Sequence, residues 1–378
     1  MNTERPERND RATTQDPQVT WWTRFFSAWV SQSPKFWRRL GNLETWLLSD
    51  ILEPVTVQKP IYVSGLARSG STLLLELLSR HPETTTHRYR DFPLLFTPYW
   101  WNRFLSLVPQ EVEEAKERAH EDRLFVTSES PEAMEEVLWM AFFSELHNSA
   151  HNNVVTNGAQ NKLFDRFYTD HIRKLLAVRG GSRYLSKGNY NATRIEYLAT
   201  LFPDSVFVIP VRNPVTHVES LMRQHEKFKA LHEQDHRLAL HMQRVGHFEF
   251  GAIRRLVNTG DSARVQEIEH LWKTGEDARA WAKYWASIYS YIAGVIQSRS
   301  LQDRCLVVRY EDLCAAPVES LGILSRHCDL EGLAEYSSDI VSTISLPTYY
   351  ESSLSEQEVD AIWEEAAATA ERFEYSRE

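Results

Sequence analysis

Cysteine is scarce: Cys305, Cys314 and Cys328 are the only three in 378 residues. Their number is odd and their spacing fits neither a disulfide framework nor a zinc site, so a reduced compartment is expected. No apolar run approaches the roughly 20 residues that cross a bilayer. The polar start of the chain also lacks the apolar core of a secretory signal. A soluble, cytoplasmic protein follows, in which Asn191-Ala192-Thr193 is a chance match to a glycosylation acceptor. Positive charge is in deficit as well. With 42 Lys and Arg against 52 Asp and Glu, the net charge of -10 argues against nucleic acid as a partner. Any anion that binds must therefore meet local positive charge at a site.

What is present is a phosphate-cradling loop. Gly65-Leu66-Ala67-Arg68-Ser69-Gly70-Ser71-Thr72 follows the apolar run Ile61-Tyr62-Val63 and opens a helical stretch from Leu73 to Leu78. That is the strand-loop-helix context in which backbone N–H groups at a helix N-terminus hold an anion. The spacing is that of the nucleotide-binding pattern G-x-x-x-x-G-K-[ST], but Ser71 stands where the lysine that reaches the β- and γ-phosphates belongs. Arg68, three residues earlier, supplies a planar, permanently charged fork instead. A phosphotransferase would need the missing lysine, so a different phosphate is expected here.

Further strand-like runs occur at Tyr184-Leu185-Ser186, Val206 to Val211 and Cys305 to Arg309. Helical patterns separate them: Ile195 to Leu201, Val215 to His225, and a stripe of Trp281, Tyr284, Trp285, Ile288, Tyr289 and Ile292 read as core. Apolar, unalternated strands between helices predict an α/β fold, a three-layer P-loop-like sandwich with a short parallel sheet and helical insertions. Ligand loops then lie at the strands' C-terminal ends, where Arg68, Lys187, Arg212 and Tyr310 each follow or close a strand. The expected organisation is a disordered tail over 1–19, amphipathic helices over 20–58, a main domain over 59–350 with a helical insertion at about 229–300, and a C-terminal helix over 351–378. The aromatic residues of 21–48, interspersed with Arg24, Lys35, Arg38 and Arg39, suit capping of the protein's own core, with contact to a membrane surface or a subunit as the other reading.

Several separated motifs together resemble the sulfotransferases that use 3′-phosphoadenosine 5′-phosphosulfate (PAPS), with the Arg-type loop of tyrosylprotein sulfotransferases and many bacterial relatives. Gly65 to Leu74 is similar to their 5′-phosphosulfate loop, and His81-Pro82-Glu83 follows its helix. Leu185-Ser186-Lys187 comes next, then Arg212-Asn213-Pro214 with Ser220 eight residues after the arginine, similar to the 3′-phosphate motif. Val308 to Leu313 resembles the later strand with its donor-contacting tyrosine, Tyr310. The resemblance covers about 60–230 and 303–328. It implies a sulfotransferase moving a sulfuryl group from PAPS to a hydroxyl or amine without metal. Arg68, Ser69, Gly70, Ser71 and Thr72 would bind the 5′-phosphosulfate, and Arg212 and Ser220 the 3′-phosphate. Lys187 would stabilise charge building on the bridging oxygen, where a cation about 4 Å away is worth roughly 4 kcal/mol before desolvation.

The proton acceptor is harder to place. Counting from the loop puts Tyr89 where the tyrosylprotein enzymes carry a glutamate. Neighbouring groups able to take a proton are Asp91, preferred narrowly, and His87, with Glu129 as a third candidate. The acceptor itself stays open among small-molecule, lipid and carbohydrate hydroxyls. Two rival readings stand beside this one. His232-Glu233-Gln234-Asp235-His236 matches the H-E-x-x-H pattern of zinc peptidases, although its intervening residues are polar. A non-catalytic nucleotide-binding protein is the other, and Lys187 aimed at a leaving oxygen would discriminate against it.

Overall fold

The computed structural model describes residues 21–108, 116–117, 125–156, 158–342, 344 and 352–377. Five parallel strands form the central sheet: β1 (Ile61–Ser64), β2 (Thr84–Thr85), β3 (Arg183–Gly188), β4 (Val206–Val211) and β5 (Cys305–Arg309). Their spatial order is β2-β3-β1-β4-β5. β1 is buried along its whole length, as its unalternated apolar sequence requires. Pro210 interrupts β4 without cost to the β1 ladder, because that pairing ends at Val63 opposite Val208.

Side chains leave the sheet alternately for two cores. Ile61, Val63 and Val208 pack with Leu74, Leu75 and Leu78 of the Ser71–Ser79 helix and with Leu321 and Leu324 of the Pro317–Cys328 helix. Tyr62, Phe207 and Ile209 face the other way, into the Trp281, Trp285, Tyr289 and Ile292 stripe of the Asp277–Ile296 helix and Ile362 and Ala366 of the Glu356–Ala370 helix. The result is the three-layer, P-loop-like α/β architecture expected from the sequence, with the aromatic stripe in the core.

Topology places the ligand crevice. The chain leaves β1 into a helix on one face, while β4 leads into the Pro214–Gln234 helix, whose Val218 and Leu221 belong to the opposite core. The two connections diverge between adjacent strands, which is the switch point where parallel sheets bind ligands.

The expected tail over 1–19 lies outside the described residues. Two helices, Trp21–Gln32 and Pro34–Leu47, follow it. Val30 and Trp37 pack with Leu95, Phe96, Leu138 and Phe167, and Glu44 forms a buried ion pair with Lys174 at 2.9 Å. The outer face of these helices is different: Phe25, Trp29, Phe36 and Leu47 are exposed, and Trp46 is 71% exposed. All three cysteines are free thiols. Among the described residues no helix is long and apolar enough to cross a membrane.

Candidate active site

Residues at the C-terminal edge of β1 set the site's shape. Gly70 has φ of 95° and caps the Ser71–Ser79 helix without any side chain on the first-turn N–H groups. Those donors are thus left for an anion. A Cβ at Gly70 would stand 2.7 Å from the Tyr310 ring, so glycine is required by backbone conformation and by close approach alike. Arg68 also adopts a left-handed conformation, with φ of 68°, and its Nε donates to Ser220 Oγ at 3.2 Å. The 5′-type loop and the helix carrying Ser220 therefore touch, although the two residues lie far apart in sequence.

Arg212 directly follows β4, Asn213 caps the next helix by accepting from Val215 N at 3.0 Å, and Pro214 occupies its first turn. Arg212 Nε donates to Thr216 Oγ1 at 3.1 Å, and its guanidinium lies 5.0 Å from the Tyr310 ring centre. Tyr310 is thus wedged between Arg212 and Gly70. Lys187 is 8% exposed and pairs in register with Val63, which brings it level with the end of β1. Arg68, Arg212, Lys187, Ser220 and Tyr310 therefore share one edge of the sheet. Ser71 is buried and Thr72 half-buried at the helix start.

Ser69, expected at the 5′-phosphosulfate as part of this loop, has its hydroxyl engaged by the loop itself. It is fully buried, and its Oγ donates to Leu66 O at 2.7 Å, which closes the loop on itself. His217, which sequence reasoning did not single out, also supports the loop. Its Nδ1 accepts from the indole N–H of Trp285 at 3.1 Å, so the proton sits on Nε2, which donates to Ala67 O at 2.8 Å. Burial first, then the charges of Arg212 and Arg68, lowers its pKa to about 3. A neutral His217 thus ties the loop to the Pro214–Gln234 helix. Only its place one turn past Asn213, on that helix's buried face, could have marked it in the sequence.

The proton acceptors expected at 87 and 91 lie together in a buried network. Asp91 is 1% exposed. Its carboxylate accepts from His87 Nδ1 at 2.9 Å, Arg88 N at 3.0 Å and Asn102 Nδ2 at 3.3 Å, and also from Arg179. Burial pushes its pKa up, but the His87 hydrogen bond and the Arg179 charge outweigh this and hold it at about 2. The other His87 nitrogen lies 3.0 Å from His171 Nε2. Both groups are thus hydrogen-bonded within an interior network. Glu129 is more open but is clamped between Arg88 and Arg90.

A different carboxylate faces an empty space beside the loop. A narrow, mostly enclosed cavity is lined by Leu66 and Ala67, by Asn189 just after Lys187, and by Glu249, Phe250 and Trp281. Glu249 accepts from Asn189 Nδ2 at 2.7 Å, and its other oxygen lies 3.7 Å from His247 Nδ1. From the sequence Glu249 stood out only as a conceivable third ligand, with Glu267 or Glu269, for the H-E-x-x-H reading. It comes from the stretch that the family resemblance did not reach.

The H-E-x-x-H reading also fails on geometry. The helix carrying His232 ends at Gln234, and Asp235 caps a new helix that begins at His236 by accepting from Arg237 N at 2.8 Å. The two imidazoles therefore do not share one helical face. His232 is turned inward, accepting from Ala252 N at 3.2 Å. Among the described residues no group of three or more His, Cys, Asp or Glu is placed to hold a metal ion.

An uncapped helix terminus and two arginines gathered at the crevice of a parallel sheet define a P-loop-like α/β protein shaped around an anion. The Sulfotransferase family model matches residues 60–335, and the chain belongs to that family. It is an enzyme, a sulfotransferase. Sulfotransferase STF9 from Mycobacterium avium is 14% identical, with 96% of this chain and 88% of that one aligned at a TM-score of 0.55, which carries the shared fold. Sulfotransferase STF1 from Mycobacterium tuberculosis H37Rv is 18% identical over 87% of this chain and 82% of its own, with a TM-score of 0.44. A sulfotransferase from Alicyclobacillus acidocaldarius is 13% identical over 84% and 95%, with a TM-score of 0.39. No protein of curated function matches the sequence.

Proposed function

We propose that the chain moves a sulfuryl group from PAPS to a hydroxyl acceptor, without metal, in the reducing cytoplasm where its three free thiols persist. The observation that carries this reading is the contact between Arg68 and Ser220 beside the Arg212–Tyr310–Gly70 stack. It sets two anion-binding groups side by side, suited to one ligand bearing two separate phosphates. In this reading Arg68, the amides from Gly70 to Thr72 and the Ser71 and Thr72 hydroxyls hold the 5′-phosphosulfate. Arg212 and Ser220 hold the 3′-phosphate, and Tyr310 packs against the donor. Lys187 faces the bridging oxygen, where negative charge grows only as the sulfuryl group leaves. A sulfuryl group carries less negative charge than a phosphoryl group, so arginine and amides suffice where a kinase needs Mg²⁺ and lysine.

The test is calorimetric titration with 3′-phosphoadenosine 5′-phosphate in EDTA, run beside ATP. The reading predicts one-to-one binding that survives chelation and far weaker binding of ATP. Preference for ATP with added Mg²⁺ would overturn it. We further propose that the exposed aromatic face of the Trp21–Gln32 and Pro34–Leu47 helices rests on an anionic membrane surface. Lys35 and Arg39 flank Phe36, and residues 17–43 contain no acidic side chain.

A further inference from the structure

The peptide groups on either side of Arg212 are tied to a residue far from the phosphate motifs. Glu311 lies in the first turn of the Tyr310–Ala315 helix, and its Oε1 accepts from Asn213 N at 3.0 Å. Its Oε2 accepts from the hydroxyl of Tyr375, and the same hydroxyl lies 3.4 Å from Val211 O. Val211 and Asn213 flank Arg212 in the chain, so one carboxylate–phenol pair holds the backbone that aims the guanidinium. Tyr375 stands beyond residue 335, where the family match ends. It reaches the sheet by a chain reversal. The Glu356–Ala370 helix buries Ile362, Ala366 and Ala370 in the core and runs into the Glu371–Phe373 turn, whose Phe373 ring meets Tyr289 edge-on at 5.6 Å. Glu374 then adopts a left-handed conformation, with φ of 63°, and Tyr375 N returns to Ala370 O at 3.1 Å. Tyr375 is thereby 4% exposed, with the Arg309 guanidinium 4.6 Å from its ring centre. Burial first, then the Glu311 charge, raises its pKa, so the hydroxyl stays protonated and donates.

We propose that Glu311 and Tyr375 are positioning residues for donor recognition, holding the Arg212 backbone so that its guanidinium meets the 3′-phosphate without rearrangement. This rests on the donor reading above and adds to it a residue outside the family match. A guanidinium pairs with phosphate oxygens only over a narrow range of position and direction, so a site of this kind depends on the groups that support it. Arg212 is half-buried, and its side chain meets the Thr216 hydroxyl and the face of Tyr310, both lighter restraints than an ion pair. Anchoring of the backbone on both sides therefore decides where the fork points. Tyr375 has a second effect: by engaging Oε2 it keeps Glu311 from turning to Arg212 and competing with the phosphate.

The test is calorimetric titration of the full chain with 3′-phosphoadenosine 5′-phosphate and with AMP, in wild type, Tyr375→Phe, Glu311→Gln, Arg212→Ala and the double variant Arg212→Ala with Tyr375→Phe. Tyr375→Phe keeps the ring against Arg309 and removes only the hydroxyl. It should weaken binding of the bisphosphate by about 10-fold while AMP affinity stays within about 2-fold. Glu311→Gln keeps an oxygen for Asn213 N and an amide for the Tyr375 hydroxyl, and should retain most of the preference. In the Arg212→Ala background, Tyr375→Phe should have no further effect on either ligand, because the pair acts through Arg212. Wild-type selectivity in Tyr375→Phe, equal weakening of both ligands, or a full further loss in the double variant would overturn the assignment and leave the donor reading intact. Equal affinity of wild type for the two ligands would overturn the donor reading, and the assignment with it.

Discussion

At Asp91, donors from His87, Arg88, Asn102 and Arg179 converge on a carboxylate that is 1% exposed. Asp91→Ala leaves the buried Arg179 guanidinium without its ion-pair partner, with only Thr86 O and Asn102 Oδ1 as acceptors, and should cost about 3 kcal/mol in chemical denaturation at pH 7. Because the folded pKa is depressed to about 2, the carboxylate's stabilising contribution is fully present above its unfolded pKa near ~3.9 and is lost as pH falls through the folded value. The gap between wild type and mutant should therefore narrow between about pH 4 and 2. A mutant that is fully stable at pH 7 but slow in transfer would return Asp91 to the chemistry. Arg68 and Arg212 were legible in the sequence because each sits at a fixed offset from a glycine loop or a helix cap. The network around Asp91 was not legible, because sequence shows which groups can accept a proton but not which partners they already hold. Glu249 and His217 are held by partners from other elements, Asn189 and Trp285, so no local pattern could reveal their surroundings.

The strands that position the site were visible as short apolar runs, since a parallel sheet covered on both faces needs no alternation. The two-residue β2 was not visible, because its pairing depends on β3 rather than on its own sequence. A similar limit affected the H-E-x-x-H segment, although there the aspartate cap that splits the helix stood inside the motif. For the N-terminal helices, sequence gave the aromatic content but could not separate the inner face of Val30 and Trp37 from the outer face of Phe36 and Trp46. The outer face makes its own prediction. Wild type should sediment with vesicles containing anionic lipid, less so at high salt, and Phe36→Ser with Trp46→Ser should abolish this while the thermal midpoint changes little. Unchanged sedimentation in the double variant, or its self-association being lost instead, would favour another surface or a subunit contact.

On the scale of the whole molecule, a chain of net charge -10 concentrates basic side chains at one edge of its sheet. The order β2-β3-β1-β4-β5 puts the helices after β1 and β4 on opposite faces, and their diverging connections open the crevice between Arg68 and Arg212. In the proposed function this crevice reads a ligand with a 3′-phosphate, through Arg212 and Ser220. Titrating wild type and Arg212→Ala with 3′-phosphoadenosine 5′-phosphate and with AMP tests it directly. Wild type should prefer the bisphosphate by about 2 kcal/mol, roughly 30-fold, and Arg212→Ala should lose that preference while retaining its affinity for AMP. Equal affinity of wild type for the two ligands, or an undiminished preference in Arg212→Ala, would contradict it.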